Sequence, residues 1–571
     1  MTQVRARPRW IVAEPPADAV VEALAAELKL PPHVCRLLCV RGFDRPDPAK
    51  LYLRPSLDQL HDPSLLPDLD AAVERLTRAA RTGEVILVHG DYDVDGMCSV
   101  ALLTRTLREL GARVVPFIPN RMRDGYDLGD AGVRAARDAG ARVVVTCDCG
   151  TNAVAAVRQL CSDGVDVIIT DHHLPSAPIP DCLAVLNPRR HDSTYPDRDL
   201  AAVGVAFKLA LGLVRAMSGN ENRVWAMLDM VALATVADVA ALRGENRVFV
   251  QRGLRLMRET RNQGLAALIR SSGLEGKTIT AGRVGFILAP RLNAAGRIGD
   301  AMRGVELMLS ERESEANVIA RELEELNQRR QEVDRRTLDE ARESLAGVDM
   351  DGTIGLVLAR EGWHPGVIGI VASRLVEEFG RPTVLISIEG ETGKGSGRSI
   401  PGFDLHAALT QCSDLLLRFG GHRAAAGVTV TRERIADFAI RFNEIAAREL
   451  SLDDLAGHVR VDLELPVQEA TESLEALLRY FEPFGVGNPS PLFLSRGVRL
   501  AGGPRTVGRD GLKLLLDAGT RTLPALGWGM AERSADVEAT QTIDVVYRLE
   551  RDEYKGVTSL QARLVDFAPP G

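Results

Sequence analysis

Apolar and polar positions alternate in blocks between Glu84 and Asn187, and the blocks predict strands and helices in turn. Five short apolar runs, rich in Val, Ile or Leu, are separated mainly by Ala- and Leu-rich segments of helical length. The runs are EVILVH, ARVVPFIP, RVVVTC, VDVIIT and LAVLN. Strands that alternate with helices pair in parallel, because each crossover returns the chain to the same edge of the sheet. The pattern predicts an α/β domain with a parallel sheet.

The segments that follow this sheet are helical, and they lead to a second, smaller α/β domain. Residues 200–270 form Ala- and Leu-rich amphipathic stretches, and residues 281–300 are interrupted by glycine. Glu, Arg and Leu dominate from residue 301 to 345, with almost no Gly or Pro. This composition predicts one long helix whose charges form a solvated face. Residues 353–388 return to a strand-helix-strand pattern.

The last part of the chain changes to short strands bounded by turn residues, beginning near Leu455. This spacing predicts a small antiparallel barrel. The first 80 residues show no clear period. The predicted organisation is an N-terminal segment over 1–80, a first α/β domain over 81–300, a connecting helix over 301–347, a second α/β domain over 348–454 and a barrel domain over 455–571.

The composition is typical of a soluble protein, with 45% hydrophobic and 26% charged residues among 571. No apolar run reaches the length of about 18 residues that a membrane-spanning helix needs. The start, MTQVRARPRW, lacks the pattern of a secretory signal. The eight cysteines are few for this length, which indicates reduced thiols and a cytoplasmic location. The net charge of −8 implies that a polyanion would bind at a local site.

Carboxylate and imidazole side chains follow three of the predicted strands, at the point where each strand ends. Loops at the carboxyl ends of parallel strands converge on one crevice, so these groups are expected to meet. Such ligands suit Mn²⁺, with Mg²⁺ as the abundant competitor. Taken singly, each aspartate is equally an ordinary turn residue or helix cap, and each histidine a surface residue. The candidates are His89 and three aspartates in HGDYDVDG, Asp148 in VTCDCG, and Asp171, His172 and His173 in TDHH, and Asp238 in TVADV is expected to join them from the end of a helix.

These four motifs resemble, in order, those of the DHH phosphoesterase superfamily. The resemblance implies two metal ions bridged by Asp148, and a contact between His173 and a substrate phosphate. Two such ions hold a shared water as hydroxide and neutralise charge on the phosphoryl oxygens. The spacing His-x3-Asp-x-Asp in the first motif selects His89, Asp93 and Asp95. By this resemblance the metal ligands are His89, Asp93, Asp95, Asp148, His172 and Asp238, and the catalytic residues are Asp93, Asp95, Asp148, His172, His173 and Asp238.

Further motifs from about Leu51 to Phe567 are similar to those of the RecJ family, the single-strand-specific 5′ exonucleases of bacteria. They are PNRMRDGYD, PRLNAAGR, WHPGVIGIVASR, GSGRS and GGHRAAAG. Their presence argues against a bare pyrophosphatase. The resemblance implies a parallel-sheet DHH phosphoesterase domain, a second, DHH-associated domain that binds substrate, and a C-terminal barrel with the oligonucleotide-binding (OB) fold.

Residues in these motifs are candidates for holding the DNA strand. Glycine allows close approach of the backbone, and Ser and Arg bind phosphate oxygens. Tyr126 is placed to stack on a base, although a half-buried loop tyrosine is an equal alternative. Asp127 departs from the usual family pattern, where glycine is commoner. The substrate-binding candidates are Arg121, Tyr126, His173, Arg297, Ser396, Arg398 and His422, of which Arg121 and Arg297 are alternatively ordinary ion-pair residues.

The resemblance predicts a 5′→3′ exonuclease on single-stranded DNA that requires two Mn²⁺ or Mg²⁺ ions and releases 5′ mononucleotides in recombination and repair. Two alternatives stay open. One is a phosphodiesterase for short oligonucleotides or cyclic dinucleotides, against which the length of the chain argues. The other is a non-catalytic nucleic-acid-binding scaffold, against which the filled ligand positions argue. The implied partners are single-stranded DNA, a single-stranded-DNA-binding protein and a RecQ-type helicase; no membrane contact and a monomeric state are expected.

Overall fold

The computed structural model describes residues 7–176, 178–350, 352–538, 540–554 and 557–570. The chain divides into two compact units. The larger unit contains His61–Gly457, and the smaller unit combines Pro8–Leu60 with His458–Gly571. The predicted N-terminal segment over 1–80 is therefore divided, because residues 8–60 belong with the C-terminal part of the chain. Within the described residues, no helix is both long and apolar enough to span a bilayer.

The N-terminal residues of the smaller unit form one strand and three helices. Apolar side chains of these helices, such as Leu24 and Leu38, share a buried core with Leu465 and Phe481 of the C-terminal part. This core explains why residues 8–60 belong to the smaller unit. The elements are β1 (Arg9–Val12), α1 (Asp18–Leu28), α2 (Pro32–Val40) and α3 (Pro46–Leu53).

The first α/β domain of the larger unit contains a five-stranded sheet in which every pair of strands is parallel, as predicted. The elements are α4 (Leu69–Thr82), β2 (Val85–Gly90), α5 (Val94–Glu109), β3 (Arg113–Phe117), α6 (Asp130–Asp138), β4 (Val143–Cys147), α7 (Val154–Ser162), β5 (Asp166–Thr170) and β6 (Ala184–Leu186). The strand order is β3-β2-β4-β5-β6. The chain order reverses between β2 and β4, and ligands of doubly wound sheets bind at such a point.

A group of helices follows the sheet, and several of them are buried along most of their length. Two of these helices, α8 and α10, contain mostly buried residues and pack against the sheet domain through α5. The helices are α8 (Ala202–Ala216), α9 (Glu221–Trp225), α10 (Leu228–Ala237), α11 (Gly244–Leu256), α12 (Gln263–Ser271), α13 (Ala281–Arg283), α14 (Ala289–Ile298) and α15 (Met302–Leu309), with a π-helical turn over Val284–Leu288.

The connecting helix is shorter than the sequence predicts. The prediction of one helix over 301–347 is wrong at its start, because α15 ends at Leu309 and the long helix α16 spans Glu313–Leu345. The backbone between them is extended, with ψ 130° at Ser310 and ψ 129° at Arg312. No Gly or Pro marks this break, although Ser310 and Glu313 have the spacing Ser-x-x-Glu that is typical of a helix start.

The second α/β domain also belongs to the larger unit, and its five-stranded sheet is mixed. The elements are β7 (Leu356–Glu361), α17 (Ile368–Phe379), β8 (Thr383–Glu389), β9 (Thr392–Arg398), α18 (Leu405–Gln411), β10 (Arg418–Gly421), β11 (Ala425–Thr431), α19 (Ile435–Glu449) and α20 (Leu452–Ala456). The order is β10-β11-β9-β8-β7, with only β7 and β8 parallel. Trp363 is buried and its indole N–H donates to Glu340 of α16 at 2.8 Å, which ties this domain to the long helix.

The C-terminal part of the smaller unit forms a seven-stranded sheet that curls on itself. The elements are β12 (His458–Val461), β13 (Leu463–Glu464), α21 (Glu472–Leu478), β14 (Phe493–Arg499), β15 (Arg505–Val507), β16 (Gly511–Asp517), β17 (Thr522–Gly527), α22 (Ser534–Glu538), β18 (Thr542–Tyr554) and β19 (Val557–Ala568). The order is β13-β14-β18-β19-β17-β16-β15, and a bridge between Leu500 and Leu516 joins the end of β14 to β16. The five strands so closed form the predicted barrel, but β17 and β19 pair in parallel, so the expectation of an antiparallel barrel is wrong for this pair.

Candidate metal centre and phosphate cradle

The acidic motifs meet at the carboxyl ends of β2, β4 and β5, beside the point where the strand order reverses. Asp91 follows β2, Asp148 follows β4, and Asp171 and His172 follow β5. The backbone N–H of Asp148 donates to the carbonyl of Thr170, and Asp148 itself has φ 62°. An aspartate tolerates this left-handed conformation better than most residues do. The turn directs the carboxylate of Asp148 into the crevice.

One group of ligand atoms combines Asp91, Asp93 and Asp148, whose carboxylate oxygens lie within 4.8 Å of one another. Asp93 also begins helix α5, because its Oδ1 accepts the backbone N–H groups of Asp95 and Gly96 at 2.9 and 3.0 Å. The helix cap holds one oxygen of Asp93 and thereby fixes the direction of its carboxylate. Asp91 is part of the cluster because of these distances, although the motif spacing does not select it.

A second group lies directly beside the first and shares Asp148 with it. The Nε2 atom of His172 is 3.2 Å from Oδ1 of Asp148 and 3.8 Å from Oδ2 of Asp238. Asp95 joins His172 and Asp238 with ligand atoms within 4.8 Å. Asp148 thus stands between the two groups, which is the place of a bridging ligand.

The carboxyl groups of this cluster are buried and close to one another, and both factors raise their pKa values. Burial raises the pKa of Asp91 and of Asp148 well above the usual range, and the negative charge of Asp93 raises both further. Burial and the charge of Asp93 raise the pKa of Asp95 to about 7. Burial and the charge of Asp95 raise the pKa of Asp238 to about 9. Such a cluster calls for cations.

Several atoms that face the crevice have no hydrogen-bond partner among the described residues. They include Oδ1 of Asp91, Oδ1 of Asp148 and Nε2 of His172, all of them buried. Buried polar atoms are nearly always satisfied, so these orphaned atoms indicate that a bound group completes them. Burial lowers the pKa of His172 to about 3, so the imidazole is neutral, which is its metal-binding form. The residues present fit divalent cations.

His173 is held by Asp171 and faces Tyr126. Its Nδ1 is 2.7 Å from Oδ1 of Asp171, and its Nε2 is 3.2 Å from the hydroxyl of Tyr126. Burial alone would lower the pKa of His173, but the hydrogen bond and charge of Asp171 outweigh it and raise the pKa to about 9. A protonated His173 suits contact with a phosphate. Asn187 adds a further hold, because its side-chain amide donates to the His173 carbonyl at 2.8 Å.

Two residues selected by the motif spacing have other surroundings than expected. His89 is buried with its Nδ1 atom 3.5 Å from Sγ of Cys149, and it belongs to none of the ligand groups that the described residues form. Its buried Nε2 atom has no hydrogen-bond partner among the described residues, so the role of His89 as a ligand stays a prediction. Asp95 lies at the cluster, but its oxygens already accept the backbone N–H groups of Ala202 and Val203, each at 2.9 Å. It therefore caps helix α8 as well.

Arginine side chains gather on the Asp91 side of this cluster. Arg121 lies over the ring of Tyr92, 4.8 Å from its centroid. The Nη1 atom of Arg297 donates to the carbonyl of Gly366 in the second domain at 3.3 Å. Burial, together with the charges of Arg121 and Arg398, lowers the pKa of Arg297 to about 10. Positive groups that repel each other in this way favour a bound anion.

Helix α14 brings Arg297 against the acidic loop because residue 296 is glycine. A Cβ there would collide with the carbonyl oxygen of Tyr92. Any larger residue would push the helix, and Arg297 with it, away from Asp91 and Asp93.

Ser396 and Arg398 form a cradle at the start of helix α17. Nη1 of Arg398 donates to Oγ of Ser396 at 3.0 Å. A Cβ at Gly369 would lie 2.9 Å from both Nη2 of Arg398 and Oγ of Ser396. The glycine therefore lets these groups approach the first turn of α17, where the helix dipole favours a phosphate.

The remaining substrate candidates lie on loops around this region. Tyr126 is about half exposed and packs edge-to-face against Tyr92 and His173. Asp127 has φ 75°, the left-handed region in which glycine is usual, and its carboxylate accepts the N–H of Gly150 at 2.7 Å. His422 is exposed in the turn of the β10–β11 hairpin, whose second strand pairs with Ser396 and Arg398.

The motif spacing did not select Asp91 as a ligand or Asp171 as a holder of His173. The signal for the former was its place in the acidic loop HGDYDVDG, which the sequence already singles out. Arg189 was missed entirely. Its charge lies close enough to Asp238 and His172 to act on the pKa of each, and its Nε donates to the carbonyl of Arg198 at 3.1 Å.

Three parts of the chain match known protein families. Residues 85–235 match the DHH family, N-terminal domain. Residues 352–448 match the DHHA1 domain. Residues 461–566 match the RecJ OB domain. Together the matches cover both α/β domains and the barrel.

The chain is also similar to curated proteins along nearly its whole length. It is 36% identical to the single-stranded-DNA-specific exonuclease RecJ of Salmonella typhimurium, over 99% of this chain and 99% of that protein. It is 36% identical to the RecJ of Bacillus subtilis, over 98% of this chain and 71% of that protein.

Solved structures match the fold and contain metal ions. The crystal structure of Thermus thermophilus RecJ with Mn²⁺ matches with a TM-score of 0.85 and 34% identity, over 99% of this chain and 80% of that one. The structure of the same protein with Mg²⁺ matches with a TM-score of 0.79 and 32% identity, over 99% of this chain and 79% of that one.

Proposed function

Because this chain belongs to the RecJ family of single-stranded-DNA-specific exonucleases, we propose that it removes mononucleotides from the 5′ end of single-stranded DNA. The observation that carries this proposal is the position of Arg121, Arg297 and Arg398 beside the acidic cluster. An anion pocket next to a hydrolytic centre holds the end of a strand at a fixed distance from the bond to be cleaved. A fixed grip on a terminal phosphate makes a nuclease start at that end.

The metal-binding residues follow from the two ligand groups. Asp91 and Asp93 would hold one divalent ion, His172 and Asp238 would hold the other, and Asp148 would be shared between them. Asp95 would support the second ion from the cap of α8. Bound Mn²⁺ or Mg²⁺ supplies a Lewis acid and an activated water for attack on the phosphodiester.

The protein's own side chains bind and orient the strand. Protonated His173, held by Asp171, donates to a non-bridging oxygen of the scissile phosphate. Arg297 and Arg398, with Ser396 and the first turn of α17, bind the terminal 5′ phosphate. One nucleotide then lies between the two phosphates, so each cycle releases a 5′ mononucleotide. Tyr126 lies beside His173 and contacts the sugar or base of that nucleotide.

Single-strand specificity is assigned to the width of the path and to the barrel of the smaller unit. Barrels with the OB fold hold single strands along a groove by stacking and by phosphate contacts. A duplex has two strands and cannot enter a site that grips one terminal phosphate. Digestion of a blunt duplex is expected to be much slower than digestion of a duplex with a 5′ single-stranded tail.

The direct test follows both ends of one labelled strand. A single-stranded oligonucleotide carrying a 5′ or a 3′ label is incubated with the protein and Mn²⁺ or Mg²⁺. The 5′ label is expected to appear at once as mononucleotide, while the 3′ label moves gradually into shorter strands. A ladder that starts from the 3′ end contradicts the polarity. Hydrolysis confined to dinucleotides or cyclic dinucleotides would instead identify a short-oligonucleotide phosphodiesterase.

The partners, the monomeric state and the cytoplasmic location stay part of this proposal, and they rest on the family resemblance. A single-stranded-DNA-binding protein would present the strand, and a RecQ-type helicase would generate it. Light scattering after gel filtration is expected to give the mass of one chain. Addition of either partner is expected to increase the digestion of long or duplex substrates.

A further inference from the structure

One aromatic side chain of the larger unit is exposed far more than its type predicts. Phe286 is 86% exposed, whereas Val284 and Leu288 on the same turn are buried. The turn is π-helical over Val284–Leu288. Such turns are uncommon in proteins, and those that occur are often found at functional sites. The ring of Phe286 is therefore open to contact by a ligand.

The turn that carries Phe286 lies against helix α10, which ends at the metal centre. A Cβ at Gly285 would lie 3.6 Å from Cγ1 of Val236, and Asp238 follows two residues later. The next residue, Val239, is 61% exposed and has φ 61°. A β-branched residue rarely adopts this conformation, and such strain clusters at ligand sites. Two apolar side chains are therefore exposed on the Asp238 side of the centre.

The arginine pocket lies at the opposite end of the same helical segment. Phe286 and Arg297 are eleven residues apart along the chain, which corresponds to about 16 Å of helix. The acidic cluster is arranged in the same order. Asp91 at one end interacts with Arg121, and Asp238 at the other end is followed in the chain by Val239. A strand with its terminal phosphate at Arg297 and its next phosphate at the cluster continues toward Val239 and Phe286.

We propose that Phe286, with Val239 beside it, is a base-stacking platform for the DNA strand on the 3′ side of the scissile phosphate. This inference rests on the proposed function. A phenyl ring stacks on any of the four bases, because every base presents a π face. The contact thus fits an enzyme that proceeds along a strand of any sequence. At about 16 Å from Arg297, the platform contacts bases beyond the terminal nucleotide, for which the rise is about 3.4 Å each in a stacked strand.

The test compares variants of residue 286 on substrates that have or lack the bases concerned. Phe286→Ala is expected to raise KM for a 5′-phosphorylated single-stranded 12-mer about tenfold, with less than a twofold change in kcat. Phe286→Trp keeps the wild-type KM, because it preserves the aromatic face. Phe286→Leu is expected to raise KM as Phe286→Ala does, because leucine keeps an apolar contact but cannot stack on a base. The control Ile440→Ala, at an equally apolar position 61% exposed on α19, keeps the wild-type KM.

A second substrate separates stacking from general damage to the protein. A 12-mer with abasic positions two to five is expected to raise the wild-type KM about tenfold, and to add little to the KM of Phe286→Ala. The increase in KM caused by Phe286→Ala is also expected to be smaller for a 5′-phosphorylated dinucleotide, which is too short to reach the platform. Equal losses on all three substrates, or a Phe286→Ala variant with wild-type KM on the 12-mer, overturn the inference. A wild-type protein that does not digest the intact 12-mer contradicts the proposed function itself.

Discussion

The carboxylate of Asp148 lies 3.2 Å from Nε2 of His172, although the two residues follow different strands of the sheet. Both atoms are buried and neither has a hydrogen-bond partner among the described residues. Because β4 and β5 are parallel neighbours, the residues that follow them emerge at the same edge. A cation between the two atoms would satisfy both.

Asp148→Asn is expected to lower kcat at least 100-fold, because a neutral amide no longer bridges two cations. Binding of single-stranded DNA should persist, since the arginine pocket is intact. Stopped product assays with Mn²⁺ measure kcat, and fluorescence anisotropy measures the binding of single-stranded DNA. Asp138→Asn, at an exposed position of α6, serves as the matched control and keeps full activity. A wild-type kcat for Asp148→Asn in excess Mn²⁺ would contradict the bridging role of Asp148.

Asp91 and His89 are expected to differ in metal binding. Asp91→Asn should lower the Mn²⁺ content at saturation from two ions toward one, because the carboxylate lies in the first ligand group. His89→Gln should still bind two ions, because this buried imidazole lies against Cys149 and outside the cluster. Equilibrium dialysis with metal analysis gives the stoichiometry of each variant. Loss of one ion in His89→Gln would identify His89 as a ligand.

The thermal stability of the metal-free protein is expected to fall as pH rises. The pKa of Asp238 is raised to about 9 and that of Asp95 to about 7, both above the value of about 3.9 for a free aspartate. The folded protein therefore retains protons that the unfolded chain releases. The stabilising contribution is complete below about pH 4 and disappears as pH rises toward 9. Tm measured in EDTA should thus decrease between pH 5 and 9.

Divalent ions should reverse this trend, because they bind the deprotonated carboxylates. The gain in Tm on addition of Mn²⁺ is expected to be larger at pH 8.5 than at pH 5.5. Equal gains at both pH values would argue against a metal centre built from these carboxyl groups.

Arg398→Ala is expected to reduce the preference for a 5′-phosphorylated strand. Hydrogen bonds to a charged group contribute about 1.5 to 3 kcal/mol, which corresponds to roughly a 10- to 100-fold increase in KM. The same change should have little effect on a strand with a 5′ hydroxyl, since no terminal phosphate is present. Arg434→Ala removes an exposed arginine at the start of α19 and is the control. The prediction fails if the phosphorylated and unphosphorylated strands lose equally.

Asp334 of the long helix is expected to stabilise the junction with the second domain. Its carboxylate is 1% exposed and lies 2.8 Å from Arg374 of α17 and 3.5 Å from Arg330. Asp334→Asn leaves the buried Arg330 without its anion, and removal of one partner of a buried pair costs about 3 kcal/mol. Differential scanning calorimetry should show a clear decrease in Tm.

Asp339→Asn on the same helix is the matched control, because Asp339 is mostly exposed and 3.7 Å from its partner Arg342. Surface pairs of this kind contribute about 0 to 1 kcal/mol, so the Tm should change little. Similar shifts for the two variants would mean that burial of the Asp334 pair is not what stabilises the helix.

The sequence by itself determined the parallel sheet, the two α/β domains, the C-terminal barrel and the edge at which the metal centre lies. Each of these depends on local information. Apolar runs of strand length alternate with helical segments, and the polar residues that follow strands must emerge at the carboxyl edge. Asp148 and His172 meet for this reason, and Asp238 joins them from the end of helix α10. The sequence also indicated Ser396 and Arg398 as substrate-binding candidates, because they lie in a glycine-rich strand.

Only the tertiary structure decided which atoms face the cations and which elements pack together. The carboxylate of Asp95 accepts a hydrogen bond from the N-terminus of α8, more than 100 residues away in the chain. His89 is enclosed by Cys149 and α6, which its position in the motif does not indicate. The core shared by Leu24 and Phe481 and the exposure of Phe286 likewise depend on distant packing. Side-chain direction around a turn follows from backbone dihedral angles and from partners brought by the fold, and neither has a local sequence period.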